Sequence, residues 1–409
     1  MKKYFIRRRT RRLLALLLTI ATIPLQIVMF ALLRILSERF PIRYGWIITP
    51  RIGHLAANFD LMITNLESSL KRENRLNTFW VPSQEHVSNR FLFKMIKRRV
   101  WVVPRWSFIV VHSLNLRFPG GRLQSLDSGT DRDVNNLLDS TVPSLQFSDR
   151  EIRRGLRFLA NIGLPEGAPF VCLNVRDSAY LSKTYPANEW SYHDYRDSSI
   201  ENYLLAANTL TERGYYVFRM GAIVESPMPT SNPMVIDYAS NGMRSEFLDI
   251  FLGAHCAFCI SSGTGFDAIP YIFRRPIAYV NIVPVGICMT FSDRFTLLFK
   301  DHYDTSTGLR MSLRSIFSAD IAFSTNILDF RQKKIELRQN SPSQIRDAVV
   351  EMMDLLEGNL VDTKSSRATQ LRFRELFESL VVTDKIALHG QFKARYSAHE
   401  LQKDPNWLK

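Results

Sequence analysis

Short apolar runs alternate with stretches of helical period along most of this 409-residue chain. Runs rich in Val, Ile, Phe and Tyr predict buried strands, at 44–49, 78–81, 100–104, 170–175, 215–219, 257–260 and 277–281. Apolar residues that recur every three or four positions predict helices, at 88–98, 148–162, 200–213, 244–252, 341–356 and 368–380, with two more after Gly53 and Gly265. Because short strands and helices take turns, we expect an α/β fold whose parallel sheets are covered on both faces.

The alternation is interrupted at 163–169, where Gly and Pro accumulate. This break predicts a domain boundary, with one Rossmann-like domain at 41–165, a second at 166–340 and C-terminal helices at 341–409. The segment 120–144 is rich in Gly, Asp, Ser and Asn. We expect it to form a long exposed loop, either a lid or a poorly packed insertion.

Residues 1–40 differ from the rest of the chain. The stretch 13–33 carries no charge for 21 residues, which at about 1.5 Å per residue is enough to cross the roughly 30 Å hydrocarbon layer of a membrane. A cleaved signal peptide has a shorter apolar core and a small-residue cleavage site after it, and neither is found here. We therefore predict a basic N-terminus followed by a membrane anchor.

Two arrangements of this anchor are open. A spanning helix would hold the basic N-terminus in the cytosol and send the main body outward. Pro24 and Gln26 also permit a broken helix that enters one leaflet and returns, which would keep both flanks cytosolic, and Arg34 and Arg39 on the far side favour it. We favour the returning helix.

The net charge of +14 comes from 53 Lys and Arg against 39 Asp and Glu. Half of this excess lies in the first dozen positions, at Lys2, Lys3, Arg7, Arg8, Arg9, Arg11 and Arg12. A basic cluster next to an apolar run matches an anionic membrane surface, and no motif for binding nucleic acid accompanies it.

The four cysteines lie inside apolar runs, at Cys172, Cys256, Cys259 and Cys288. Cys256 and Cys259 have the CxxC spacing of redox and zinc sites. Their surroundings are those of a buried strand, so we interpret all four as packing residues in a reducing compartment.

The strongest chemical signal is the segment 261–268, SSGTGFDA, which follows a predicted strand and precedes a predicted helix. Open parallel sheets bind ligands at such positions, where glycine lets backbone N–H groups approach a phosphate and the helix N-terminus favours negative charge. The alternative is a tight turn without a ligand. The candidate phosphate-binding residues are Ser261, Ser262, Gly263, Thr264, Gly265 and Asp267.

The same segment fits the dinucleotide fingerprint G-x-G-x-x-A through Gly263, Gly265 and Ala268. That fingerprint requires an acidic residue at the end of the next strand to bind a ribose hydroxyl. The strand predicted at 277–281 ends in Asn281, so the match to a dinucleotide site is weak.

A second polar cluster follows another predicted strand. Arg176 offers a planar fork for a diphosphate or carboxylate, and Asp177 beside it could orient that fork or act as a base. A dense group of polar and aromatic side chains follows shortly afterwards, at His193, Asp194, Tyr195, Arg196 and Asp197. The alternative for this group is an exposed polar loop.

Three further candidates lie near predicted strand ends. Gly53 and His54 follow the first strand, and His54 would face Arg176 if two sheets meet across a cleft. Arg219 ends another strand and either adds a phosphate contact or pairs with Asp237 or Glu246.

These segments together resemble a known family. The runs VCLNVRDS at 171–178, YHDYRD at 192–197, RGYYVFRMG at 213–221 and SGTGFD at 262–267 are similar to those of bacterial glycosyltransferases linked to surface polysaccharide synthesis. The Arg-Asp pair and the later Ser-Gly-Thr-Gly are more distantly similar to fucosyltransferases and heptosyltransferases of GT-B type. The chain lacks the second Arg and the Gly that precede the Asp in fucosyltransferases, so GDP-fucose is not implied.

The resemblance implies a GT-B arrangement of two Rossmann-like domains facing a cleft, with an acceptor-side domain at 41–165 and a nucleotide-sugar-binding domain at 166–340. The expected reaction transfers a sugar from a nucleotide sugar to a lipid-linked or surface-glycan acceptor, without a metal or cofactor. The expected location is the cytoplasmic face of a bacterial inner membrane. The catalytic candidates are Asp177, His193 and His54, and Arg176 with the 262–265 loop would bind the donor phosphates. A noncatalytic nucleotide- or glycan-binding protein and a dinucleotide-dependent oxidoreductase or epimerase remain alternatives.

Overall fold

The computed structural model describes residues 2–69, 78–119, 123–127, 129–184, 191–381, 385 and 388–409. The chain forms two compact units. Unit 1 comprises Met1–Asp131 with Pro143–Phe147, and unit 2 comprises Arg132–Val142 with Ser148–Lys409. Each unit contains a parallel sheet, so the predicted α/β class is confirmed.

Unit 1 is built on three parallel strands in the order β2-β1-β3. The strands are β1 (Ile42–Ile47), β2 (Thr78–Pro82) and β3 (Leu123–Ser125). The helices are α1 (Lys2–Ala21), α2 (Ile23–Arg39), α3 (Ile52–Ser69), α4 (Arg90–Arg99) and α5 (Ile109–Arg117). The strand predicted at 100–104 was wrong: only an isolated bridge joins Val102 to Trp80, and Pro104, which has no N–H, cannot extend the pairing.

An aromatic core holds this sheet. The rings of Tyr44 and Phe79 both pack against Phe108, with centroids 4.9 and 5.0 Å from it. Glycine is required at position 45, because a Cβ there would lie 2.2 Å from the ring of Trp80. Edge-to-face packing of this kind stabilises the small sheet.

The N-terminal helices form a bent pair. In the described ranges no single helix is long and apolar enough to cross a membrane, and the segments Leu13–Ala21 and Ile23–Arg39 reach that length only together, with a bend of 63° between them. The bend falls at Thr22, the N-cap of α2, and Pro24 occupies an early helical position that proline tolerates. The break that the sequence suggested is present, and membrane association stays a prediction.

Unit 2 contains a seven-stranded sheet with parallel pairings, in the order β13-β9-β8-β7-β4-β5-β6. Its strands are β4 (Phe170–Asn174), β5 (Tyr216–Arg219), β6 (Val235–Ile236), β7 (Phe258–Ser261), β8 (Ile277–Ile282), β9 (Phe295–Phe299) and β13 (Arg395–Tyr396). A small antiparallel sheet contains β10 (Asp301–Asp304), β11 (Leu309–Arg310) and β12 (Ile335–Arg338).

The helices of unit 2 cover this sheet. They are α6 (Asp149–Asn161), α7 (Ala179–Thr184), α8 (Leu204–Glu212), α9 (Glu246–His255), α10 (Ala268–Ile272), α11 (Leu313–Ser318), α12 (Ile327–Gln332), α13 (Pro342–Glu357), α14 (Lys364–Leu380) and α15 (Ala398–Lys403). The strands at the centre of the sheet are buried along their whole length, as parallel strands covered on both faces are.

The division into units differs from the predicted boundary at 165. Helix α6, which the sequence placed in the first domain, belongs to unit 2 because it packs closely on α9. A Cβ on Gly155 would lie 2.1 Å from the ring of Phe251, and the guanidinium of Arg154 lies 4.1 Å from the ring centroid of Phe247. The C-terminal helices form no separate domain either, since α13 lies against α8 and β8.

The prediction of a long exposed loop at 120–144 holds for only part of the segment: the described residues of 124–130 are mostly exposed, but the later part is built into unit 2. Its residues 132–142 belong to unit 2, where the buried guanidinium of Arg132 donates hydrogen bonds to the carbonyls of Leu388, Ile287 and Cys288. The Asp133 carboxylate accepts two backbone N–H groups. Charged side chains in this segment are used for packing and capping, which a count of polar residues does not reveal.

The cysteines are buried free thiols, as predicted. Burial raises the pKa of the Cys288 thiol to about 12, far above the range in which a thiolate forms at neutral pH. Cys259 lies in β7, and Cys256 is the C-cap of α9 rather than a strand residue.

Candidate functional site

The order of strands in unit 2 places one crevice at the carboxyl ends of β4 and β7. From β4 the chain builds the sheet in one direction through β5 and β6, and then returns to build it in the other through β7, β8 and β9. Neighbouring strands whose connections leave in opposite directions define the topological switch point, where open α/β sheets bind ligands.

The two predicted polar segments meet at this point. Asn174 of β4 pairs with Ser261 of β7, and the loops that follow are bonded to each other. The backbone N–H of Arg176 donates to Ser262 Oγ at 2.8 Å, and the Asn174 side chain donates to Thr264 Oγ1. The prediction that the arginine segment and the glycine-containing segment end neighbouring strands is therefore confirmed.

The glycine-containing loop, residues 261–267, satisfies most of its own donors. The Asp267 carboxylate accepts from Ser261 Oγ and from the Thr264 N–H, both at 3.0 Å. The Gly263 N–H donates to Ser261 Oγ at 3.1 Å. These N–H groups already have acceptors, so the loop is a preformed turn around a buried carboxylate more than an open phosphate cradle.

The helix expected directly after Gly265 begins later and is short. Helix α10 has five residues, beginning at Ala268. Because the macrodipole grows with aligned peptide units, so short a helix adds little to anion binding. The conformation of Gly263, with φ of 76°, explains why glycine is needed in the turn itself.

The basic side chains of the crevice come from three different segments. Arg176 has its Nε 3.3 Å from an oxygen of Asp197, and its two Nη atoms donate no hydrogen bond within the described part of the chain. Arg196 donates to the carbonyl of Gly263. Lys300 donates from Nζ to the carbonyls of Tyr195 and Asp197, at 2.9 and 2.6 Å.

Lys300 was missed by the sequence reasoning. It directly follows β9 and is only 4% exposed. The run FTLLFKDHYD gave no turn signal and no recognisable motif, and the lysine reads there as a strand terminus. The predicted topology contained a usable signal. All strands of a parallel sheet end at the same edge, so a residue that directly follows one of them lies at the edge where Arg176 lies.

The electrostatics of this cluster reflect burial first. Burial lowers the pKa of Lys300 to about 8, with Arg176 and Arg196 lowering it further and Asp197 opposing them. Burial likewise raises the pKa of Asp197 to about 6 against the attraction of Arg176. Burial and the charge of Arg196 lower the pKa of Arg176. An anion placed among these groups would relieve the repulsion between the three cations.

The remaining residues of the 177–197 cluster have different environments. Both carboxylate oxygens of Asp177 accept backbone N–H groups, from Ala179 at 3.0 Å and Glu225 at 3.1 Å. Tyr195 is buried and stacks on Phe330. Asp177 and Tyr195 therefore help to shape the site.

His193 and Asp194 lie in the 3-10 turn Ser191–Arg196. His193 is half-buried, with its ring 4.0 Å from that of Tyr192, and Asp194 is exposed. His193 is thus a half-buried imidazole three residues before Arg196.

Arg219 pairs with Asp237, which was the alternative to a phosphate contact. It is 1% exposed and its Nη1 donates to Asp237 at 3.2 Å. The guanidinium of Arg219 is buried and already paired with a carboxylate, so the predicted phosphate contact is not supported.

Gly53 and His54 lie in unit 1, in the first turn of α3 and not in a loop. The Nδ1 atom of His54 is 3.0 Å from Asn58 Oδ1, one helical turn further on, and 4.0 Å from a carboxylate oxygen of Asp131. This contact orients the ring along the helix.

The end of β8 argues against a dinucleotide. Asn281 is buried, its side chain donates to Tyr203 Oη at 3.0 Å, and its N–H donates to Asn340 Oδ1 at 2.7 Å. The Asn340 N–H returns a hydrogen bond to Asn281 Oδ1. The position where an acidic residue would bind a ribose is occupied by an amide pair that is bonded internally.

No protein-family model matches the chain, and no curated protein matches it by sequence. Several solved structures are similar to the chain, among them those of three proteins. A family 9 glycosyl transferase from Veillonella parvula has a TM-score of 0.36 and 10% identity, over 59% of this chain and 81% of its own. The ADP-heptose lipopolysaccharide heptosyltransferase II of E. coli has a TM-score of 0.36 and 14% identity, over 77% of this chain and 100% of its own.

The third is TibC from enterotoxigenic E. coli, a dodecameric iron-containing heptosyltransferase solved in complex with ADP-D-beta-D-heptose. It has a TM-score of 0.35 and 12% identity, over 78% of this chain and 77% of its own. The chain is similar to these proteins at low sequence identity.

Proposed function

We propose that the chain is a GT-B-type glycosyltransferase that moves a sugar from a nucleotide-sugar donor to a lipid-linked or surface-glycan acceptor. One observation carries the proposal. Arg176 presents two Nη atoms, without a partner in the described ranges, at the switch point of a parallel sheet, beside Ser262 and two further cations. A planar fork beside two further cations matches a diphosphate.

In this proposal the diphosphate of the donor binds between Arg176 and the 262–265 loop. Arg176 donates both Nη–H groups to phosphate oxygens. Lys300 holds the turn at 195–197 through its two carbonyl contacts, and Arg196 holds the loop at Gly263. The two segments are thereby fixed in one geometry before the donor arrives, which reduces the cost of organising the site.

The reaction then follows from charge. As the bond between the sugar's anomeric carbon and the phosphate oxygen breaks, the electron pair and its negative charge pass to the diphosphate, and the cations stabilise that charge without a metal. The acceptor oxygen forms the new bond to the anomeric carbon. Its proton goes to a base, for which His193 is preferred to Asp177, because Asp177 is engaged by two backbone N–H groups.

A panel of nucleotide sugars tests the proposal. Each is assayed for binding by calorimetry and for release of free nucleotide, with the wild-type chain, Arg176→Ala and the control Arg213→Ala, whose ion pair with Asp354 is at the surface. We expect one donor to bind and turn over, Arg176→Ala to lose about 100-fold or more in affinity, and Arg213→Ala to match the wild type.

The alternatives have distinct outcomes in the same panel. Binding without nucleotide release would indicate a noncatalytic binding protein. Absorbance of a bound nicotinamide or flavin after purification would indicate an oxidoreductase or epimerase. Wild-type affinity and turnover in Arg176→Ala would overturn the assignment of the site.

We further propose that the protein acts at the cytoplasmic face of a bacterial inner membrane. The basic cluster at positions 2–12 and the exposed apolar residues of α1 and α2 support attachment to an anionic lipid surface. The buried free thiols are in keeping with a reducing compartment.

A further inference from the structure

Helix α2 presents two apolar stripes, on different faces. One, which we call the inner stripe, comprises Met29, Phe30 and Leu33, and these side chains pack against the aromatic core of unit 1. The other, which we call the outer stripe, comprises Leu25, Val28, Leu32 and Ile35. These four side chains are 67, 55, 54 and 68% exposed. A helix that is apolar all round requires an apolar environment on both sides.

Polar contacts fasten the inner side of α2 to unit 1. The side chain of Gln26 is buried and donates to the carbonyl of Trp106 at 2.9 Å, while its Oε1 accepts from the N–H of Val110 at 3.0 Å. Val110 is in the first turn of α5, whose own N-cap residue Phe108 makes no capping hydrogen bond. Gln26 therefore supplies the missing cap for α5 from 84 residues earlier in the sequence.

A second contact holds the other end. Arg34 Nη1 donates to the carbonyl of Phe118, the C-cap of α5, at 3.0 Å. Helix α2 is thus bonded to both ends of α5 and packed on the sheet between them. If α2 crossed a bilayer on its own, Gln26 would lose its buried partners and the aromatic core would be exposed.

The length of α2 leads to the same conclusion. Its 17 residues extend about 26 Å, which is short of the roughly 30 Å hydrocarbon layer. The 63° bend before it turns α1 away from its axis.

The charge of the N-terminal segment indicates what covers the outer stripe. Seven Lys and Arg residues lie within the first dozen positions, and α1 continues from them with Leu13, Leu16, Leu17 and Ile20, each more than half exposed. A second copy of the chain would bring two such basic clusters together. An anionic lipid surface offers opposite charge and an apolar layer next to it.

We infer that α2 is both a core helix of unit 1 and its contact with lipid: the outer stripe lies in one leaflet of an anionic membrane, and the bent pair α1–α2 enters and leaves by the same face. This inference rests on the membrane attachment proposed above and not on sugar transfer.

Cysteine labelling tests the topology. Thr10→Cys and Glu38→Cys place single exposed thiols on either side of the apolar segment, and the four native thiols are buried. In sealed inverted inner-membrane vesicles, an impermeant maleimide is expected to label both positions, and in intact spheroplasts neither. Labelling of the two positions from opposite sides would mean that the segment spans the membrane and would overturn the inference.

Charge insertion tests the outer stripe. The full chain, purified in detergent, is mixed with vesicles of phosphatidylcholine alone or with phosphatidylglycerol, and lipid-bound protein is separated by flotation. The variant Leu32→Glu with Ile35→Glu is expected to bind the anionic vesicles at least about tenfold more weakly. The control Leu371→Glu, at a side chain of α14 that is 55% exposed, is expected to bind like the wild type.

Two measurements keep the outcome unambiguous. Thermal unfolding of the double variant should match the wild type, and nucleotide release from the donor should continue, so loss of lipid binding is separate from loss of the proposed catalysis. Unchanged flotation of the double variant overturns the inference. So does a wild-type dimer that the double variant abolishes without a change in lipid binding, which would identify a second copy as the occupant.

Discussion

The two loops that meet at the carboxyl edge of β4 and β7 differ in what they leave unused. In the loop at 261–267, the Ser261 hydroxyl and the Thr264 N–H donate to Asp267, and the Gly263 N–H donates to Ser261 Oγ. Across the crevice, Arg176 keeps two Nη atoms without an acceptor in the described part of the chain. The glycine-containing loop is therefore a scaffold, and the arginine is the group that remains available to a ligand.

This difference reverses the order in which the sequence ranks them. Glycines after a strand are easily recognised, whereas an arginine after a strand is common. What distinguishes the two is the number of unsatisfied donors, and that number depends on contacts between residues far apart in the chain. Each of the following substitutions affects one side of the comparison more than the other.

Removing the centre of the scaffold should have the largest effect. Asp267→Ala deprives Ser261 Oγ and the Thr264 N–H of their buried acceptor. We expect the free energy of unfolding to fall by about 2 to 4 kcal/mol, measured by urea denaturation. The control Asp293→Ala, at an exposed carboxylate of the same unit, should change it by less than about 0.5 kcal/mol. If Asp267→Ala keeps its stability but loses donor affinity, Asp267 belongs to the ligand site, and the loop is then not merely a scaffold.

Replacing the guanidinium of Arg176 by an ammonium group should weaken donor binding without changing stability. Arg176→Lys keeps a positive charge but loses the planar pair of donors. We expect donor affinity to fall about tenfold in calorimetry with an unchanged melting temperature. Lys364→Arg, on the exposed first turn of α14, serves as the matched exchange elsewhere. Equal affinity of Arg176→Lys and wild type would show that only charge matters at this position.

Because of Lys300, we expect the stability of the protein to depend on pH. Its pKa is about 8 in the folded protein and about 10.4 in an unfolded chain, so the unfolded state binds more protons between these values. The free energy of unfolding should therefore rise with pH from about 8 to about 10.4 in the wild type. Urea denaturation at several pH values should show a smaller rise in Lys300→Met, whereas Lys364→Met should keep it.

Deprotonation of Lys300 also removes a cation from the site. Donor affinity in the wild type should therefore decrease as the pH rises through about 8, and Lys300→Met should lack this decrease. A wild type whose affinity is constant across this range would separate Lys300 from the donor site and leave it only the structural role of holding the carbonyls of Tyr195 and Asp197.

The sequence predicted the strands at the site well, because each was a short buried run between turn residues. It also placed Arg176 and Ser262 on neighbouring strand ends, which the pairing of β4 with β7 confirms. It missed Lys300 and misjudged Arg132, since the burial of a long basic side chain depends on carbonyl groups that become neighbours only in the folded chain. The hydrophobic pattern of a sequence predicts which residues are buried, but it does not predict which buried polar groups form hydrogen bonds with each other.

The assignment of unit 2 shows the same limit. A Gly-Pro stretch at 163–169 looked like a linker, yet the helix before it packs on α9 through the smallest possible side chain, at Gly155. Close approach between helices at a glycine leaves no apolar signal in the sequence. The boundary between the units therefore differs from the predicted one, although the helices and strands on either side of it were predicted.

The smallest expected effect is at the glycine of the scaffold itself. Gly263 has φ of 76°, and a Cβ there would lie 3.4 Å from Ile282 and 3.7 Å from Arg196, both ordinary contacts. Gly263→Ala should therefore cost only the strain of a left-handed backbone, about 1 kcal/mol in the free energy of unfolding. Gly308→Ala has a similar φ of 71° with open space around it, so it reports the backbone cost alone. If the loop is a scaffold, both variants should lose similar stability and keep wild-type donor affinity. A loss of affinity confined to Gly263→Ala would mean that the donor approaches the loop backbone closely, and the glycine would then belong to the ligand site together with Arg176.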